Sequence, residues 1–313
     1  MAKSTLVEVN KKIEKRVIGG YKKIEDGVVS SYKKIKGNVC INRLSRGCFT
    51  MKISNKVIVV TGGGSGIGRE LVLNLLLKGA KVAAVDLNED GLEETKKIAG
   101  DKSENLSLHA INITDQKLVE ALPEEVIKVH GTVDGIINNA GIIQPFEDVK
   151  DLDYDRIKLV MDVNFYGTLY TTKSFLPYFL ERPEAHITNI SSMGGFTPVP
   201  GQSIYGASKA AVKLMTEGLR SELKGTNVNV TVAFPGAVNT NITKNSGAER
   251  KSNAGDSGAN KTLSPKDAAE IIVSGMENNK YRVFAGKDSK MLDIMNRINP
   301  EKAANIIADK LKK

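Results

Sequence analysis

Residues 56–61 read Lys-Val-Ile-Val-Val-Thr, and Gly62-Gly63-Gly64-Ser65-Gly66-Ile67-Gly68 follows directly. A short run rich in β-branched apolar residues predicts a strand buried on both faces of a parallel sheet. The glycines predict a turn whose backbone comes close to another group, and a helical pattern then runs to Lys78. A second such strand, 81–86, ends on Asp86. Strand, glycine turn, helix, strand and terminal acid in this order restrict the chain to few folds. The order is that of a dinucleotide site, with a pyrophosphate at the positive helix N-terminus and a carboxylate on a ribose hydroxyl.

The rest of the chain keeps the alternation. Strands are predicted near 56–61, 81–86, 105–111, 135–138, 185–190, 228–234 and 281–285, and helices over 66–78, 89–99, 115–129, 153–181, 203–224 and 265–279. This predicts an α/β fold, a doubly wound parallel sheet of about seven strands of Rossmann type. Right-handed crossovers bring the C-terminal strand ends to one edge, so Gly62, Asp86, Asn139, Ser192 and Pro235 are expected to share one cleft. The segment 291–311 reads as two amphipathic helices divided at Pro300.

Charge separates an appendage from this domain. The chain carries a net +9, of which residues 1–50 supply +8 (12 Lys+Arg against 4 Asp+Glu). A nucleic-acid face on the remaining residues is therefore not expected. Asn10-Lys-Lys-Ile13, Tyr21-Lys-Lys-Ile24 and Tyr32-Lys-Lys-Ile35 repeat every 11 residues, a period that keeps an apolar stripe on one side of a helix. Such a basic stripe suits an anionic membrane surface. Gly19, Gly20, Gly27 and Gly37 weaken that helix, so a solvated, partly helical or disordered extension is the favoured expectation. Cys40 and Cys48 both lie in the extension, so residues 51–313 rely on no disulfide. His109, His130 and His186 are scattered in sequence, and no metal site is expected. No apolar run reaches the ~18 residues of a membrane span, and a cytoplasmic protein is expected.

Chemistry enters with Tyr205-Gly-Ala-Ser-Lys209, and with Ser192 thirteen residues before the tyrosine. Tyrosine and lysine at i and i+4 share a helix face. An ammonium beside a phenol favours the phenolate and lowers its pKa from about 10. The tyrosine then serves as a general acid or base, and a serine hydroxyl can hold a substrate oxygen beside it.

Taken together, these motifs resemble the classical short-chain dehydrogenase/reductase family, from about Lys52 to the C-terminus. Thr61, Gly62, Ser65, Gly66, Ile67 and Gly68 resemble its cofactor loop, Asn139, Ala140 and Gly141 its central brace, and Pro235, Gly236, Val238 and Thr240 its nicotinamide loop. Asn164 matches its catalytic asparagine, beside Ser192, Tyr205 and Lys209. The resemblance implies that Lys209 contacts the nicotinamide ribose, that Asn164 holds a water linking Lys209 to solvent, and that 241–262 is a substrate lid. It also implies a homodimer or homotetramer through 153–181 and 203–224. Asp86 followed by Leu87 favours NAD over NADP. Asn112 stands where the family often has an aspartate, and with Ile113 it is expected at the adenine. The expected activity is NAD-dependent interconversion of a secondary alcohol and a ketone, with an apolar substrate, hydroxysteroid-like or a fatty alcohol or acyl chain. The rivals are a 3-oxoacyl reductase, a non-catalytic NAD-sensing or scaffold protein on the same fold, and a membrane-recruited assembly factor.

Overall fold

The computed structural model describes residues 51–248 and 262–311. The basic extension, its repeats and cysteines, and residues 249–261 of the expected lid lie outside the described residues.

Seven strands form one parallel sheet in the order β3-β2-β1-β4-β5-β6-β7. They are β1 (Val57–Thr61), β2 (Lys81–Asp86), β3 (Leu106–Ala110), β4 (Gly135–Asn138), β5 (Ala185–Ile190), β6 (Val228–Pro235) and β7 (Arg282–Ala285). Helix α1 (Gly66–Leu77) follows β1, α2 (Glu89–Ala99) follows β2, and α3 (Gln116–His130) follows β3. After β4 come α4 (Tyr154–Met161), a π-helical stretch (Asp162–Gly167) and α5 (Thr168–Leu180). Helix α6 (Ser203–Glu222) precedes β6, the short α7 (Ile242–Asn245) and α8 (Pro265–Glu277) lie between β6 and β7, and α9 (Lys287–Ile298) and α10 (Pro300–Leu311) close the chain.

The period of two in β1 sorts its side chains between two cores. Ile58 and Val60 join Leu71, Leu75, Ile272 and Val273 beneath α1 and α8. Val57 and Val59 face Val119, Leu122, Phe175 and Phe179 beneath α3 and α5. Both faces are dry, which explains the unbroken apolar run. The strand order reverses between β1 and β4, so the crevice at their C-terminal ends is where such a sheet binds ligands.

The helix expected over 153–181 is interrupted. The π-helical stretch adds a residue to the turn and carries Asn164 inward, where it is wholly buried. Periodicity alone did not show this, because inward hydrogen bonds and not apolar spacing hold the bulge. Among the described residues, no helix is long and apolar enough to cross a membrane, and no three His, Cys, Asp or Glu side chains group to hold a metal ion.

Candidate active site

The glycine loop is shaped by close approach. Gly62 has φ +72°, in the left-handed region, and a Cβ on Gly68 would overlap the Gly62 carbonyl and the Asn139 amide. Thr61 Oγ1 accepts the N–H groups of Asn139 (3.0 Å) and Ala140 (3.1 Å), and Asn139 Nδ2 donates to the Thr61 carbonyl at 3.1 Å. These bonds join the ends of β1 and β4 at the crevice. Arg69, not singled out in the sequence, holds the loop from behind: it donates to the Gly64 carbonyl at 2.6 Å, and its guanidinium pairs with Glu94.

The loop fits an anionic dinucleotide. Ser65 makes no capping bond at the start of α1, and no acid lies in that helix's first turn. The positive end of α1 therefore faces the crevice unneutralised. Asp86 stands at the end of β2 with one carboxylate oxygen accepting from Gly64 N–H (2.9 Å) and the other from Asn88 N–H (3.0 Å). Leu87 is 72% exposed beside it. Asn112 is already engaged: its Oδ1 accepts both the N–H (3.1 Å) and the hydroxyl (2.9 Å) of Thr114. That uses both lone pairs, so the oxygen expected to meet the adenine amino group is occupied by a local turn. Ile113 is buried beneath Gly167, and Asp115 caps α3, accepting the Lys117 N–H at 3.0 Å.

The loop after β6 lies opposite. Gly236 N–H donates to the Ala285 carbonyl (2.9 Å) and Ala237 N–H to Asp288 Oδ2 (2.8 Å). Val238 bridges to Leu263, and the Thr240 methyl sits 3.5 Å from where a Cβ on Gly66 would stand. Asp288 fixes this loop from α9, 53 residues beyond Pro235, and nothing local signalled it. At the described start of the expected lid, Asn245 Nδ2 donates to Ser65 Oγ at 3.2 Å and Ser246 Oγ accepts from Ile143 N–H at 3.1 Å. Arg156 donates to the carbonyls of Ile143 and Ser246.

Four side chains meet between these loops. Ser192 ends the β5 turn, accepts Gly194 N–H at 3.1 Å and hydrogen-bonds the Tyr205 phenol. Lys209 is 4% exposed and donates to the Ile190 carbonyl at 3.0 Å. Asn164 accepts from Ile142 N–H (2.8 Å) and donates to the Ile142 carbonyl (2.9 Å) and to Ser208 Oγ (2.9 Å). Ser208 in turn donates to the Tyr205 carbonyl at 2.7 Å. A Cβ on Gly141 would stand 3.1 Å from both Asn164 Oδ1 and Lys209 Nζ, so the bare backbone passes between them. Ser191 is turned away from the cleft, donating to the Lys209 carbonyl at 2.7 Å.

The electrostatics correct one expectation. Burial raises the Tyr205 phenol above its ordinary value, and the Ser192 hydrogen bond pulls it back only in part. Burial also lowers Lys209 to about 8. The depression of the phenol pKa expected from the i, i+4 spacing is absent from this arrangement, where the ammonium hydrogen-bonds the Ile190 carbonyl.

The short chain dehydrogenase family model matches residues 56–251. The chain is 36% identical over 260 residues to the oxidoreductase SadH of Mycobacterium tuberculosis, covering 81% of this chain and 94% of that protein. An oxidoreductase of Staphylococcus saprophyticus is 34% identical over 228 residues, 72% of this chain and 93% of that one. The 3-ketoacyl-(acyl-carrier-protein) reductase of Brucella melitensis, solved with NADH, superposes with a TM-score of 0.67 at 26% identity, covering 75% of this chain and 99% of that one. A short-chain dehydrogenase/reductase of Burkholderia phymatum, solved with NAD, shares the fold at a TM-score of 0.70 and 22% identity, covering 80% and 98%. With the glycine loop, the crevice and the Ser–Tyr–Lys–Asn cluster in the family's order, this chain belongs to the short-chain dehydrogenase family.

Proposed function

We propose that the protein is an NAD-dependent oxidoreductase that interconverts a secondary alcohol and a ketone. The observation that carries the reading is the approach of Ser192 and Tyr205 beside Gly194, where a Cβ would stand 3.6 Å from Ser192 Oγ and 3.5 Å from the Tyr205 ring, in a chain that also has the glycine loop. Gly62, Gly66, Gly68 and Ser65 would hold the pyrophosphate, Asp86 the adenosine ribose, and Pro235, Gly236, Val238 and Thr240 the nicotinamide end. Bound there, the cofactor would supply the hydride acceptor or donor for the carbinol carbon of the substrate. Ser192 donates to the substrate oxygen. Tyr205 takes the hydroxyl proton in oxidation and returns it in reduction. Lys209, still largely protonated at pH 7 with its pKa lowered to about 8, would contact the ribose and favour the Tyr205 phenolate, and Asn164 would hold a water that links Lys209 to solvent.

NAD is favoured over NADP because a carboxylate, not a cation, stands at the ribose edge, and Arg69 is paired with Glu94. An apolar substrate is favoured by the apolar residues that follow Ser192 (Met193, Phe196) and the β4 strand end (Phe146) in the sequence. The nearby cations Arg156 and Lys209 both donate to backbone carbonyls. A homo-oligomer is supported by Leu159, Tyr166, Leu180 and Leu214, all more than 40% exposed along α4–α6.

The test is NADH formation across hydroxysteroids, 3-hydroxyacyl thioesters and polyols, with NADP in parallel. Turnover with NAD is expected, and equal rates with NADP would overturn the reading of Asp86. Tyr205→Phe should lose turnover by about 10³-fold while binding NADH as the wild type does. A Tyr205→Phe enzyme with near wild-type rate sinks the assignment.

A further inference from the structure

Helix α6, which carries Tyr205, starts without a local cap. Its first flanking residue, Gln202, makes no side-chain capping bond. The N–H groups of the first turn of any helix have no intrahelical partner, and they are usually met by a Ser, Thr, Asp or Asn at the preceding position. Here Gln144, in the loop after β4, meets them from 58 residues before Gln202. Its Oε1 accepts from Ile204 N–H at 2.8 Å and Tyr205 N–H at 3.0 Å. Its Nε2 donates to the Gly201 carbonyl at 3.0 Å. The exchange is reciprocal, since Gln202 Nε2 donates back to the Gln144 carbonyl at 2.8 Å. Gln144 is 0% exposed, so its amide is committed to these backbone groups.

We propose that Gln144 is the N-terminal cap of the catalytic helix and, through it, the positioning residue for Tyr205. The inference rests on the reading of Tyr205 as the proton-transfer group. Tyr205 sits in the turn that Gln144 closes, whereas Lys209 lies a turn deeper, held by Ile190 and Ser191. Only a glutamine-length amide supplies an acceptor to two N–H groups and a donor to Gly201 at once. Loss of the cap frays the first turn and moves the phenol away from Ser192 without disturbing the glycine loop.

The experiment compares full-length wild type, Gln144→Leu and Gln144→Glu. Three readouts are taken: amide exchange across Ile204 and Tyr205, NADH affinity by fluorescence, and reduction of the ketone matching the best alcohol in the panel above. In Gln144→Leu, exchange at these two amides is expected to rise tenfold or more on the order expected for loss of local protection. kcat should fall by about a hundredfold, as for a misplaced reacting group, with NADH affinity unchanged. In Gln144→Glu the carboxylate still accepts the two N–H groups but faces the Gly201 carbonyl without a proton. Its kcat should recover as pH falls and the carboxyl regains that proton, an ionisation the wild type lacks. If Gln144→Leu does not fold, this pH profile decides the matter. Unchanged amide exchange overturns the cap, and faster exchange with unchanged kcat overturns the positioning role. Turnover surviving in Tyr205→Phe would instead show that the reading of Tyr205 had failed, while the exchange data would still decide the cap.

Discussion

Lys209 shows what burying a lysine costs. It is buried with a single carbonyl partner and no carboxylate, and burial lowers it to about 8 from 10.5. Because the folded pKa lies below the unfolded one, the unfolded chain binds the proton first as pH falls. Stability is therefore lost between about 10.5 and about 8, and the full cost is present at pH 7. At 1.4 kcal/mol per unit that is on the order of 3 kcal/mol, less about 1 kcal/mol for the hydrogen bond to Ile190. Lys209→Met should thus raise the thermal midpoint by about 5 °C at pH 7 while removing turnover. The gain should vanish as pH approaches 10. A midpoint that falls on substitution at pH 7 would refute this account.

Among the elements, the edge of the sheet opposite the cleft is tied by one carboxylate. Asp134, 2% exposed, accepts from Val57 N–H at 2.9 Å and from Arg182 Nε at 2.9 Å. It joins the start of β1 to the loop before β5, and its own carbonyl accepts from His186 N–H at 3.0 Å. Removing one partner of a buried pair strands the other group. Asp134→Ala should cost about 3 kcal/mol and lower the midpoint by about 10 °C. NADH affinity below the transition should stay within a factor of about two, since the glycine loop lies at the other end of β1. A large loss of affinity would mean that strain passes along the strand.

Over the whole molecule, the three histidines share one behaviour. Burial lowers His109 and His130, Lys81 adding to the effect on His130, and burial with Arg220 lowers His186 to about 3. All three folded values lie below 6.5, so stability is complete above 6.5 and is lost as pH falls from there. The loss should reach at most about 1.4 kcal/mol per pH unit for each histidine. Thermal midpoints measured from pH 8 to pH 5 should fall below pH 6.5, and His186→Gln should flatten the slope. The fold brings His109 and His130 together: Ser107 Oγ lies 2.9 Å from one ring and 2.8 Å from the other.

Asn164 was singled out only through the family resemblance, whereas the element order, the glycine loop and the spacing of Ser192, Tyr205 and Lys209 were legible in the sequence itself. Each depends on a local period or a short spacing: the apolar run of β1, the i, i+4 pair, the acid ending β2. What only the tertiary structure decided are partners brought in from far along the chain. Gln144 caps a helix beginning at Ser203, Asp288 holds the loop at Gly236, and Arg156 reaches Ser246. The same holds for the π-helical turn at Asn164 and for the occupied oxygen of Asn112, which took up the bonds that neighbouring backbone and side chains offered. Apolar periodicity is a local consequence of burial and can be read residue by residue. A buried polar group must find its partner wherever the fold brings one within hydrogen-bond reach, and that distance exists only in three dimensions.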